Sequence, residues 1–432
     1  MKSYRKYLSG HCASIIVAAA LLAVWLQPAA ADEQQGLGAN LAGLLDYARE
    51  HNPEFAASRY EADAAQQRVQ SASALPDPVL RTELLDITNQ GTNKGTSLLP
   101  SQVGSTRYTL MQSFPWFGKR DLQREVAEAQ VAQTDGQVTA TWADLSSSIK
   151  SVYAQYYYWS GSERLARETL ELLNNLEQVA QTRYANGLGP QQEVIRAQVE
   201  QTGLRGELID LDNESHNIQA RLNTLLSRPA MALLAEPASL RPLPAPAQLD
   251  YTALKQKLLA RNPQLLIADA RIKAAEKSRD LAYNNRFPGF TLGVAPTQSG
   301  GAIKTWDLMV ELNIPLQQGS RRSQEYEAES MLEASGARKK ALLNRMLSDL
   351  SESISSLETA RRTESLTATQ LLPQAELNYQ SALAGYETGK VDFAILLDAQ
   401  RQILKARQQR LKAQLEEQLR LAEIERLLGE EL

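Results

Sequence analysis

The sequence is nearly free of cysteine. The single one, Cys12, stands among 432 residues and ahead of an apolar run, so the body of the chain offers neither a disulfide framework nor a thiolate metal site. Histidine is almost as scarce. Past the first 31 residues only His51 and His216 remain, and because a metal site needs several convergent donors, each reads as a surface residue. The methionines of the same region, Met111, Met231, Met309, Met331 and Met346, are scattered and form no copper relay. Long apolar runs are missing too: Ala13 to Leu26 comes nearest to membrane length and, at 14 residues, is too short for a spanning helix. The chain also lacks a glycine-rich phosphate loop and any Ser/His/Asp grouping with recognisable spacing. No catalytic centre, cofactor or bound metal is expected.

What is present begins with an export signal. Lys2, Arg5 and Lys6 form a basic start, the apolar run follows, and Pro28-Ala29-Ala30-Ala31 offers a small-residue cleavage site before Asp32, which predicts a signal peptide over residues 1–31. Cys12 is badly placed to become a lipidated first residue. Removing that segment leaves 43 basic side chains against 50 acidic ones, a balance that argues against a nucleic-acid partner. With 43% hydrophobic and 22% charged residues and a mean hydropathy of -0.36, the remainder is neither disordered nor a bundle of membrane helices, and it can bury a large core.

The chain repeats itself. Asn52-Pro53 recurs as Asn262-Pro263, an offset of 210 residues; Leu75-Pro76 has a counterpart in Phe287-Pro288, and Phe114-Pro115 with Gly118 in Ile314-Pro315 with Gly319. Tyr184-Ala-Asn-Gly187 matches Tyr386-Glu-Thr-Gly389 at an offset of 202, and the register holds through Ala197-Gln198 and Ala399-Gln400. Ordered matches of this kind predict a tandem duplication, with a first repeat over 32–226, a proline-rich, non-helical linker over 227–248 and a second repeat over 249–432.

Each repeat is expected to open with a helix of roughly 35 residues in which Asn52 or Asn262 caps the segment starting at the following proline. A short β region follows. Trp306, Leu308, Val310, Leu312 and Ile314 alternate with Asp307, Met309, Glu311 and Asn313; Phe290, Leu292 and Val294 alternate with Thr291, Gly293 and Ala295. Tyr108, Leu110 and Phe114 alternate with Arg107, Thr109 and Ser113, and a poorly patterned strand is placed around Val79 to Thr88. Such alternation suits either a half-buried sheet on a soluble core or a membrane β-barrel. Export, and very long flanking helices that leave little to cover a sheet, favour the barrel. In that reading Trp306, Leu308, Val310 and Leu312 face lipid, with Trp306 in an aromatic girdle, and Asp307, Glu311 and Asn313 face a watery lumen. Four strands cannot close a barrel, since the smallest bacterial examples have about eight, and an open sheet in lipid leaves edge groups unpaired. Three copies sharing about twelve strands therefore fit better than two copies sharing about eight, whose lumen side chains would fill.

From Lys119 to Tyr184 and from Ser320 to Tyr386 there is almost no helix-breaking chemistry apart from Gly136, Gly161, Gly336, Pro373 and Gly385. Some 66 residues at about 1.5 Å each give a helix of roughly 100 Å. The chain turns at Gly187 and Gly389, and a helix of about 35 to 40 residues returns in each repeat. The aromatic run Tyr153, Tyr156, Tyr157, Tyr158 and Trp159 is expected to pack within the helical wall rather than to hold a ligand.

The signal peptide, the duplicated helix, strand pair and long helix hairpin, and the turns Tyr184-x-x-Gly187-Leu188 and Tyr386-x-x-Gly389 ending in Ala-Gln together resemble the TolC-like outer-membrane efflux proteins. The resemblance spans essentially all of the chain past residue 31. It implies a mainly α fold with a small membrane β part: a homotrimeric channel whose 12-stranded outer-membrane β-barrel continues into a long periplasmic α-helical barrel. It implies an exit duct for a tripartite pump, with a periplasmic adaptor docking at the turns (Gly187, Leu188, Gly389, Lys390) and an inner-membrane transporter driving transport. Phe114-Pro-Trp-Phe-Gly-Lys-Arg120 further resembles the branch serving heavy-metal pumps of the resistance-nodulation-division type; drug efflux and type I protein secretion are the alternatives. In the family, acidic residues past the turns line the periplasmic constriction. Asp398, nine residues after Gly389, matches that pattern, Glu193 is an approximate equivalent, and Ile395 departs from it. A periplasmic coiled-coil adaptor is the reading from another class, but it gives no reason for duplicated lipid-facing strands.

Overall fold

A computed structural model describes residues 36–88, 96, 98–100 and 103–432. The predicted signal peptide, 1–31, lies outside the described residues. In chain order the elements are α1 (Leu41–His51), α2 (Pro53–Ser73), β1 (Val79–Leu85), β2 (Ser105–Phe114), α3 (Lys119–Ala185) and α4 (Gln191–Leu225). The second repeat follows with α5 (Tyr251–Arg261), α6 (Pro263–Asn284), β3 (Gly289–Ser299), β4 (Ala302–Asn313), α7 (Gln318–Leu366), α8 (Leu372–Glu387) and α9 (Phe393–Leu428). No helix among the described residues is long and apolar enough to cross a membrane.

The opening helix expected in each repeat is two helices, broken at the Asn-Pro pair. Pro53 has no N–H to continue α1, and Asn52 turns the break into a start: its Oδ1 accepts from the backbone N–H groups of Glu54 (2.9 Å) and Phe55 (3.0 Å). Its Nδ2 donates to the Leu225 carbonyl at 2.9 Å. Asn262 caps α6 in the same way through the N–H of Leu265 at 2.9 Å.

α3 runs unbroken for 67 residues. Its partner in the second repeat does not. Between α7 and α8, Thr367–Leu371 form a π-turn in which the Leu372 N–H bonds the Thr367 carbonyl. Pro373 is the cause: it cannot donate to a carbonyl four residues back and its ring needs room there, and the wider turn supplies both.

The chain divides into two compact units. One takes the chain up to Ala56, Trp142–Gln256 and Asp349–Leu432. There both helix hairpins share a core in which Leu173 and Leu176 of α3 and Leu204 of α4 meet Tyr386 of α8 and Phe393 and Leu396 of α9. A second cluster in this unit joins Leu44, Ile149, Tyr153, Tyr156 and Leu222. Tyr153 and Tyr156 are buried, as expected of the aromatic run; the Tyr153 hydroxyl donates to the carbonyls of Ala39 (3.1 Å) and Ser239 (3.0 Å), and burial pushes the Tyr156 phenol up to about 12. The linker is non-helical except for a 3-10 turn at Pro246–Leu249.

The other unit, Ala57–Thr141 with Lys257–Ser348, contains the sheet. Its four strands are antiparallel in the order β1-β2-β3-β4, so the strand pairs of the two repeats join through β2 and β3. β1 stops at Leu85, short of the expected Thr88. β4 starts at Ala302, earlier than the expected Trp306, because Gly300 (φ +59°) and Gly301 (φ +86°) make a two-residue hairpin turn whose left-handed angles suit glycine. Pro296 donates no ladder bond, and the β3–β4 register shifts just after it, between Thr297 and Gln298.

Candidate functional site

The registers sort the sheet into two faces. Leu80, Leu110, Val294 and Leu308 are aligned partners across all four strands, as are Glu83, Arg107, Thr297 and Thr305. One face is thus apolar from edge to edge and continues through Phe114, Phe290, Leu292, Trp306, Val310 and Leu312. It lies open: Leu308 is 76% exposed, Trp306 68% and Val310 65%. The other face is polar and better shielded, with Thr109 and Met111 buried. On it Arg107 sits 4.0 Å from Glu83 and 3.8 Å from Asp307, while Nε of Arg107 donates to the Thr297 hydroxyl at 3.4 Å. Glu311 and Asn313 lie at the end of β4 on this polar face, beside a cavity of about 290 Å³.

The two hairpin turns have the same backbone. Gly187 and Gly389 sit at φ +73° and +72°. The next residue in each closes the helix end: Leu188 N–H bonds Arg183 O and Lys390 N–H bonds Gly385 O, both at 2.8 Å. This is the Schellman closure, and its left-handed residue excludes side chains without any crowding, since nothing lies within 4 Å of a Cβ placed at either glycine. Leu188 and Lys390 are exposed beside them.

Past the turns, Asp398 and Glu193 are held differently. Asp398 is exposed on α9, and its Oδ1 accepts from Nη1 of Arg401 at 3.1 Å, one turn further along the same helix. Arg401 also bonds the Glu200 carboxylate of α4, with Nε at 3.1 Å from Oε2; that contact, burial working against it, holds the Arg401 guanidinium above its ordinary pKa. Glu193 is half-buried, and its Oε2 accepts from the Tyr386 hydroxyl at 2.8 Å. Burial, reinforced by Glu193, raises the Tyr386 phenol well above its usual value, and the Arg183 guanidinium lies 4.8 Å over the same ring.

The family model for outer membrane efflux proteins matches residues 44–228 and 254–430. The chain belongs to that family. The two matched segments are two copies of one unit, as the internal repeat indicates. Among curated relatives, the cobalt-zinc-cadmium resistance protein CzcC of Cupriavidus metallidurans is 23% identical over 376 residues, 85% of this chain and 84% of its own. The pyoverdine export outer membrane protein OpmQ of Pseudomonas aeruginosa is 25% identical over 327 residues, 73% and 66% respectively. Among solved structures, CusC superposes with a TM-score of 0.78 at 18% identity over 90% of this chain and 92% of that one. The outer-membrane channel OprN gives 0.76 at 20% identity over 90% and 89%. The fold is therefore that of the TolC-like outer-membrane channels, and this chain is an outer membrane efflux protein. The family and the fold are those of transport ducts.

The sequence alone does not show Arg401 and Tyr386 as partners of the two acids, or Glu200 as the second carboxylate on Arg401. One signal was available. In the register that aligns Gly187 with Gly389, Glu193 falls opposite Ile395 and Asp398 opposite Arg196, so the two acids are not equivalent positions, and their different partners follow from that.

Proposed function

We propose that three copies of the chain, β4 of each against β1 of the next, close a twelve-stranded barrel that serves as the exit duct of a tripartite pump. A periplasmic adaptor docks at Gly187, Leu188, Gly389 and Lys390, and an inner-membrane transporter of the resistance-nodulation-division type supplies the energy. Heavy-metal cations are the cargo, a reading supported by the match to CzcC along 84% of that protein's length. The residue assignment has a signal peptide over 1–31, repeats over 32–226 and 249–432, and a linker over 227–248.

One observation carries the reading. A four-stranded sheet presents an apolar, open face from edge to edge, and among the described residues its outer strands β1 and β4 each have a partner on one side only. In water such a face and such edges invite aggregation; in lipid the face is stable and the edges must pair with another copy. Trp306, Leu308, Val310 and Leu312 then face lipid, and Asp307, Glu311 and Asn313 the lumen. At the periplasmic constriction Asp398 supplies one carboxylate per chain to a ring that attracts cations. Glu193, bound by Tyr386, ties the second hairpin to the first and holds the constriction closed.

Single cysteines along β4 test this in whole cells. Positions 307, 311 and 313 should react with a water-soluble maleimide, and positions 308, 310 and 312 should not. Uniform reaction or uniform protection would overturn the membrane strand.

A further inference from the structure

The cavity at the foot of the sheet contains two cations, one from each repeat. Lys119 follows the Pro115–Gly118 bend and Arg321 the corresponding Pro315–Gly319 bend, and both line the same space of about 290 Å³. Arg321 is held only through Nη1 donating to Oε1 of Gln324 at 3.3 Å, and neither cation makes an ion pair with a carboxylate among the described residues. Burial and then the Arg321 charge lower the Lys119 pKa. Glu311 lines the cavity as well, without an ion pair to either cation among the described residues. Two like charges without an ion pair in one recess repel each other, and an oxyanion between them relieves that cost.

The rest of the lining suits a phosphate in particular. Arg321 can offer a guanidinium fork and Lys119 a point charge, the two usual phosphate-binding groups. Ser113 and Thr291, whose hydroxyls are 3.0 Å apart, and Asn313 add neutral polar groups. Beside them stands an aromatic rim. Trp116 stacks on Phe287 at 5.3 Å, and Phe117 lies 6.3 Å from Phe290; Phe117 is 75% exposed and Phe287 51%. The rim continues the apolar face of the sheet through Phe114 and Phe290.

We infer that Lys119 and Arg321 form a binding site for a phosphate group, carried either by a phospholipid headgroup or by a soluble phosphate. The site goes beyond the efflux reading and does not depend on cargo, adaptor or gate.

Full-length protein in dodecyl maltoside is probed with radiolabelled inorganic phosphate by equilibrium dialysis and with phosphatidylglycerol by native mass spectrometry. At least one probe is expected to bind saturably, once per chain, and to bind at least tenfold more weakly to the variant carrying Lys119→Ala and Arg321→Ala. The charge-keeping pair Lys119→Arg and Arg321→Lys should retain binding, and Arg338→Gln with Lys340→Gln, a loss of two exposed helix charges elsewhere, should bind like the parent. Phosphatidylglycerol retained by the parent but lost on Phe117→Ser identifies the lipid as the source; phosphate bound equally by parent and Phe117→Ser identifies the solute. If neither probe binds saturably, or if the double alanine variant binds like the parent, the site does not exist.

Discussion

Glu417 shows how one side chain imposes a pH dependence. It is buried on α9, and that burial, reinforced by the Glu364 carboxylate and partly offset by Arg361, pushes its carboxyl up to about 7. A carboxyl raised in the folded state favours the protonated fold: its contribution is fully present below the ordinary carboxyl range of about 4.3 and is lost as pH rises through about 7. Glu417→Gln, which mimics the protonated form, should melt above the parent at pH 8 and level with it near pH 4. A difference that did not change with pH would contradict the shift. Asp398 and Tyr386 make a second contrast. The Asp398–Arg401 pair is exposed and contributes less than about 1 kcal/mol, so Asp398→Ala should leave stability nearly unchanged while raising single-channel conductance and weakening cation preference in planar bilayers. Tyr386→Phe should cost about 1 kcal/mol through the lost bond to Glu193, and should raise conductance without changing ion preference. Identical effects of the two substitutions on selectivity would remove the distinction between ring and tie.

At the scale of elements, the two turns carry the sharpest test. Gly187 and Gly389 occupy left-handed angles in open space, so any side chain pays backbone strain of about 1–2 kcal/mol and meets no clash. Gly187→Val with Gly389→Val should therefore leave assembled protein in the outer membrane and abolish efflux by disturbing the docking turns; normal export would show that the turns do not dock a partner. Much of each element could be read in the sequence, because its cause is local: alternation from Trp306 to Asn313, the cap at Asn52, the glycine in Tyr-x-x-Gly. The interruptions were harder. The sequence predicts the Asn52-Pro53 cap but not the break between α1 and α2 ahead of it, and the π-turn before Pro373 depends on how a helix absorbs one missing donor. Partners such as Arg401 to Glu200 or Tyr386 to Glu193 join residues about two hundred positions apart, and their meeting depends on helix rotation within a shared core, which spacing along one helix does not fix.

For the whole molecule, the proposed three-chain barrel rests on the duplication. Among the described residues each repeat supplies two strands, β2 and β3 join them, and β1 and β4 are left as edges. In the sheet those edges are three inter-strand steps apart, roughly 14 Å at about 4.8 Å per step, far beyond the Cα separation of about 4.4–6.8 Å that a disulfide tolerates. A cysteine in β1 can thus bond one in β4 only between chains, and the body of the sequence contains no other cysteine to confuse the result. Thr82→Cys combined in turn with single cysteines along β4, oxidised in outer-membrane preparations and run on a denaturing gel without reductant, measures the edge pairing directly. The account predicts, at the positions in register, a covalent ladder ending at three chains that collapses to one on reduction; a ladder ending at two, or monomer at every position, would contradict it.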